Sequence, residues 1–112
     1  MKNPDISIVI PLYNEVDNIE LLGHSILRAM QGNNYEVILV NDGSTDGSTE
    51  KLKGWCAEHE NFRTIHFKRN AGQTAAMDAG FKSAVGIYIV SMDADMQNDP
   101  ADIQKLLEKL NT

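Results

Sequence analysis

Three observations predict an α/β fold with a mostly parallel sheet and helices on both faces. Apolar runs rich in β-branched residues occur at residues 6–12, 35–40, 64–67 and 87–92. The first, second and fourth are nearly continuous rather than alternating, as in strands covered on both faces. Segments with helical spacing separate the runs and follow the last one. The resulting βαβαβαβα order calls for right-handed crossovers and parallel neighbours, a Rossmann-like arrangement.

Each helix has its own signature. In the first, Ile19, Leu22, Ile26 and Met30 repeat at about 3.6 residues, with Asn14 as the expected N-cap and Asp17 three residues on. The second is shorter, marked by Leu52, Trp55 and Cys56, and starts after Thr45 or Asp46. Ala75, Ala76, Ala79, Ser83 and Ala84 give the third a small-residue face suited to close packing on a sheet. Asp99-Pro100 forms an N-cap and first turn for a fourth, whose stripe is Ile103, Leu106, Leu107 and Leu110.

The chain of 112 residues is read as one domain, residues 1–112, small for an enzyme with two substrates. Its formal charge of −6 argues against general nucleic-acid binding, which needs basic stripes. No stretch approaches the ~18 apolar residues of a membrane span, and Met1 is followed by no signal-peptide core. The single cysteine, Cys56, has no partner for an internal disulfide, so a cytoplasmic setting is expected.

Ligands of open parallel sheets bind at the carboxyl ends of the strands, near the switch in strand order. All four unusual polar clusters of this sequence fall on that edge: Pro11-Leu-Tyr13-Asn14-Glu15, Asn41-Asp42-Gly43-Ser44, Lys68-Arg69-Asn70-Ala-Gly72 and Asp93-Ala94-Asp95-Met-Gln97. A solvated face would scatter its charges. The second cluster reads equally as a plain turn, with Asp-Gly at its tip and a helix cap behind it. As a site, Gly43 would let a ligand approach the backbone and Asp42 would accept from a base N–H or a ribose hydroxyl. Neither GxGxxG nor GxxxxGK[ST] occurs, which argues against classical NAD and P-loop sites. Asp93, Asp95 and Gln97 offer oxygen donors only, suited to Mg²⁺ or Mn²⁺; the alternative is a charged loop, with Asp99 a helix cap in either case. Lys68 and Arg69 could offset the acidic edge or reach a phosphate. His24, His59 and His66 receive no ligand role, and no nucleophilic triad can be assembled.

With these pieces in order, the chain resembles family 2 glycosyltransferases, and among them most closely the dolichyl- or polyprenyl-phosphate sugar synthases. The stretches that carry the resemblance are "SIVIPLYNE" (7–15), "EVILVNDGSTDGS" (36–48), "RNAGQTAAMDAGF" (69–81) and "DADMQNDP" (93–100). It implies the nucleotide-binding half of a GT-A fold, with Pro11, Tyr13, Glu15 and Asp42 cradling the nucleoside. Ser44, Asn70, Gly72, Asp93 and Ala94 complete the implied nucleotide-sugar site. Asp93, Asp95 and Gln97 are implied to serve the Mg²⁺ or Mn²⁺ and the diphosphate. Asn41 departs from the acid more usual before Asp42, which puts any separate contact from that position in doubt.

The implied reaction moves a sugar, with inversion, from a GDP- or UDP-linked donor to an acceptor such as a polyprenyl phosphate. Family members are about twice this length or more, so the chain is expected to be a donor-binding fragment. Its acceptor side lies in a missing region, and the full-length protein sits at the cytoplasmic face of a membrane. Self-association of the fragment through uncovered sheet edges is also expected. The alternatives are a metal-dependent nucleotidyltransferase and a non-catalytic nucleotide-sugar binding module. The first should show a glycine-rich signature with a basic residue near the first strand, and "PLYNEVDN" has none.

Overall fold

The computed structural model describes residues 3–94. In chain order these form β1 (Ile6–Leu12), α1 (Ile19–Ala29), β2 (Tyr35–Asn41), α2 (Ser48–Glu58), β3 (Phe62–His66), α3 (Gln73–Ser83) and β4 (Tyr88–Ser91). The helix expected after Asp99 lies outside the described residues. The strands make one sheet in the order β3-β2-β1-β4, with every neighbouring pair parallel.

Strand alternation divides the core in two. Ile6, Ile8, Ile10 and Leu12 of β1, with Tyr35, Val37 and Leu39 of β2, face α1 and α2. There they meet Ile19, Leu22, Ile26, Leu52 and Trp55. Val9, Ile38 and Val40 face the other way, onto Ala76 of α3. β2 is buried along its whole length and β1 everywhere but Pro11, which accounts for their nearly unbroken apolar sequences. Each fully buried isoleucine or leucine contributes roughly 1.5–3 kcal/mol. The small-residue face of α3 packs as expected. Ala76 and Gly80 are buried, and a Cβ on Gly80 would run into the Val9 side chain.

A polar network fastens the amino-terminal side of the α3 face. Ser7 Oγ donates to Glu36 Oε2 at 2.5 Å and accepts from the Gly86 amide at 2.8 Å. The Val85 amide donates to Glu36 Oε2, and Arg63 Nε donates to Glu36 Oε1, both at 3.0 Å. The Arg63 guanidinium also donates to the hydroxyl and carbonyl of Ser83. Burial alone would raise the Glu36 carboxyl, but the hydrogen bonds and the Arg63 charge outweigh it and hold it below its ordinary value.

Three expectations need correction. Among the described residues, the run at 87–92 is not covered on both faces. Among those residues β4 pairs with β1 alone, and Ile87 and Ile89 are 76% and 45% exposed. α3 sits over β1 and β2, and among the described residues no element covers the β4 flank beside it. β3 begins at Phe62, two residues early, because α2 ends at Glu58 and Phe62 pairs with Val37 beneath Trp55. Finally, Asn14 is not the cap of α1. That position belongs to Asn18, while Asn14 sits in the loop before it.

Candidate functional site

The strand order places the switch between β1 and β4, since the chain leaves β1 toward β2 and later returns on its other side. Pro11 helps to open that seam. The Asp5 and Val9 carbonyls accept from Tyr88 and Met92, so alternate residues of β1 turn their backbone toward β4. Pro11, next in that series, has no N–H to give. The β1–β4 ladder ends at Val9↔Ser91, whereas β1–β2 continues to Leu12↔Asn41. Beyond Val9 the two strands bound a crevice.

A cavity of about 470 Å³ occupies this end of the sheet, within the range of small-molecule sites. From the end of β1 come Pro11, Leu12, Tyr13 and Glu15, and from the end of β4 come Asp93 and Ala94. Asp42 lines it after β2, and Asn70, Gly72 and Gln73 line it at the entrance to α3. Eight residues singled out from the sequence thus share one cavity. Leu12 and Gln73 were missed, although Gln73 stands inside a stretch that carried the resemblance. Ser44 does not line the cavity. Asp95 and Gln97 lie outside the described residues.

Asp42 is only 4% exposed, and its carboxylate serves the chain itself. Oδ1 accepts from the Ala71 amide at 2.7 Å, and Oδ2 accepts from the Gly72 amide at 3.0 Å and from Asn70 Nδ2 at 3.2 Å. Its backbone amide donates to the Leu12 carbonyl at 2.9 Å. The residue therefore ties the end of β1 to the wall formed by residues 70–72. Gly43 completes the closure: with φ of 72°, a Cβ there would strike the backbone of Arg69 and Asn70. The close approach anticipated at Gly43 is made by the chain's own loop rather than left for a ligand.

Asn41, 1% exposed, works behind the cavity. Its Nδ2 donates to Thr49 Oγ1 at 2.8 Å and to His66 Nδ1 at 3.1 Å, and its Oδ1 accepts from the Ser44 amide at 3.2 Å. A carboxylate could not donate, so an amide suits this position. Burial first, and then the Lys53 charge, lowers the His66 imidazole below its ordinary value, which favours the neutral ring that a bond from Asn41 Nδ2 requires.

The loop 13–17 is held by side chains from 44–48. The Asn14 amide donates to Ser44 Oγ at 2.9 Å, that of Glu15 to Ser48 Oγ at 3.1 Å and that of Val16 to Asp46 Oδ2 at 3.2 Å. In return the Thr45 amide donates to Asn14 Oδ1 at 2.7 Å. Asp46 also accepts from the Ser48 amide at 2.9 Å, capping α2 from one residue before Gly47.

At the far wall, Gly72 precedes α3 at φ 100°, and the helix has no acid in its first turn. Its first amides and the positive end of its dipole adjoin the cavity. Glu15, Asp42 and Asp93 are the carboxylates of the lining. Among the described residues no three His, Cys, Asp or Glu side chains assemble as a metal cage. Burial pushes the Cys56 thiol up to about 11, away from nucleophile chemistry.

The sequence profile described as "Glycosyl transferase family 2" matches residues 7–112. The chain is 43% identical to the undecaprenyl-phosphate 4-deoxy-4-formamido-L-arabinose transferase of Aeromonas hydrophila, over 96% of this chain and 35% of that protein. It is 39% identical to the dolichol-phosphate mannosyltransferase of Pyrococcus furiosus, over 94% of this chain and 30% of that one. It thus spans about a third of the length of the curated relatives it matches. Among solved structures it is similar to the mannosyltransferase PcManGT from Pyrobaculum calidifontis in complex with GDP-Man and Mn²⁺. The TM-score is 0.74 at 25% identity, covering 85% of this chain and 28% of that one. The parallel α/β core that the resemblance implied is the fold found. On sequence, fold and the breadth of the match, the chain belongs to glycosyl transferase family 2.

Proposed function

We propose that the cavity binds a nucleoside diphosphate sugar, GDP- or UDP-linked, and that the whole enzyme transfers the sugar, with inversion, to a polyprenyl phosphate. One observation carries the reading. Chain segments far apart in sequence, at 11–15, 42, 70–73 and 93–94, converge on a single cavity at the switch between β1 and β4. The names of the similar transferases support the lipid-phosphate acceptor, and the GDP-Man complex of the structural neighbour supports the donor.

The nucleoside lies along Pro11, Tyr13 and Glu15, where the Tyr13 ring is 44% exposed at the rim. The diphosphate lies toward Asp93, Ala94 and the amino-terminal end of α3. Asp93, with Asp95 and Gln97 beyond the described residues, would hold Mg²⁺ or Mn²⁺. The donor set fits: these hard ions take one or two carboxylates and complete their shell with substrate phosphates, so no closed protein cage is required. Bound there, the ion supplies positive charge against the departing diphosphate. The protein's own part is to orient the donor between the wall at residues 11–15 and the entrance to α3 at residues 70–73. The acceptor phosphate is positioned by chain outside these residues. Such an enzyme would work in the cytoplasm, at the membrane face where its lipid acceptor resides. No described helix is itself long and apolar enough to cross a membrane.

Calorimetric titration with GDP, UDP and their sugar conjugates, with and without Mn²⁺, tests the reading. Binding of at least one of them that weakens without Mn²⁺ is expected. Heat from none of them, in either condition, would overturn it.

A further inference from the structure

We infer that Asn14 is a positioning residue of the nucleotide-sugar site, holding Tyr13 and Glu15 at the cavity from behind. The inference rests on the reading of the cavity given above. Asn14 does not line the cavity, but both of its neighbours do. The β1–β2 ladder stops at Leu12↔Asn41, so residues 13–16 have no strand partner to fix them. Their place is set instead by the bonds to residues 44–48. Asn14 is the one residue of this loop that contributes in both directions, donating through its amide to Ser44 and accepting through Oδ1 from Thr45. Its Nδ2 adds a bond to Thr45 Oγ1 at 3.3 Å.

The backbone makes the same point. Among the described residues Asn14 is the non-glycine residue with a positive φ, 54°. That region disfavours most L residues and is tolerated best by glycine, asparagine and aspartate. The position thus asks for two properties together, a left-handed backbone and a short side-chain acceptor. Asparagine and aspartate have both, glycine has the first alone, and alanine has neither. Glu15 is steadied further by accepting from Asn18 Nδ2 at 2.7 Å, so the clamp places a residue that is already held in its rotamer.

The test compares N14D, N14G and N14A with the wild-type chain. Amide hydrogen exchange is followed at Glu15, Val16 and Thr45, and Mn²⁺-dependent affinity is measured for GDP and UDP. N14D should keep protection and bind within about twofold of wild type. N14G should lose protection at Thr45 and bind several-fold more weakly, and N14A about tenfold more weakly, each retaining the far-ultraviolet spectrum of the native fold. Rescue by aspartate but not by glycine separates positioning from backbone strain alone. If N14A does not fold, N14G against N14D makes the same comparison. Wild-type affinity in N14G, or wild-type protection at Thr45 in it, would overturn the inference. A wild-type chain that binds neither diphosphate would instead overturn the reading of the cavity.

Discussion

Asp42 illustrates how one carboxylate can build a wall. Its two oxygens accept from three donors in residues 70–72, and asparagine at that position would offer one oxygen and turn an N–H₂ toward backbone amides. A buried amide left without an acceptor costs about 1–3 kcal/mol. Asp42→Asn is therefore expected to lower the midpoint of urea unfolding by an amount worth that much. It should also weaken nucleotide binding, because Asn70 and Gly72 line the cavity. Glu36 supports a second expectation. Its folded-state value is depressed, so its contribution to stability is full above the unfolded value of about 4.3 and is lost as pH falls through the folded value. Thermal melts between pH 7 and pH 3 should show the wild type losing this increment in acid. Glu36→Gln should start less stable and lose less. The chemistry of these residues was legible in the sequence, but their allegiance was not. Asp42, Ser44 and Asn14 are the same polar types whether they hold a ligand or hold a loop. Only the fold shows that Ser44 and Asn14 face one another across two loops.

At the scale of elements, a matched pair of glycines separates packing from propensity. Gly80 in α3 abuts Val9, whose β-branched side chain has little freedom to yield, whereas Gly54 in α2 has open space around it. Alanine improves on glycine in a helix by up to about 1 kcal/mol, and overpacking costs about 1–3 kcal/mol. Gly54→Ala should stabilise the chain by about 0.5–1 kcal/mol in chemical denaturation, and Gly80→Ala should destabilise it by about 1 kcal/mol. The order of elements, their parallel pairing and the tight seat of α3 were all readable from periodicity and small-residue spacing. The status of β4 was not. A continuous apolar run reads alike in an interior strand and at an edge, because periodicity reports which side chains are apolar and not what is available to cover them. The start of α1 was misread for a related reason. Asn14 has the chemistry of a cap, but its side chain is engaged by Thr45.

At the scale of the molecule, the flank beside α3, uncovered among the described residues, is the feature most exposed to association. Val85, Ile87 and Ile89 are exposed there, and among the described residues β4 has a strand partner on one side only. Sedimentation of the chain is expected to show self-association that rises with concentration. Ile89→Lys should reduce it without moving the melting temperature by more than a few degrees, because the side chain is already half in solvent. A strict monomer across a wide concentration range would count against this.

The pairing of β1 with β4 also sets an order of assembly. β1 meets β2 through a short connection, Ile6 to Tyr35, but must wait for β4 across the rest of the described chain, Ile6 to Tyr88. The extra loop-closure entropy is only about 1 kcal/mol, yet contacts distant in sequence are those that form late. The crevice between β1 and β4 therefore exists only once β4 has docked. A nucleotide that needed both walls would recognise the sheet with β4 in place and not the sheet without it. By binding that state alone it would hold β4 in place, so the ligand itself becomes the final staple of the fold.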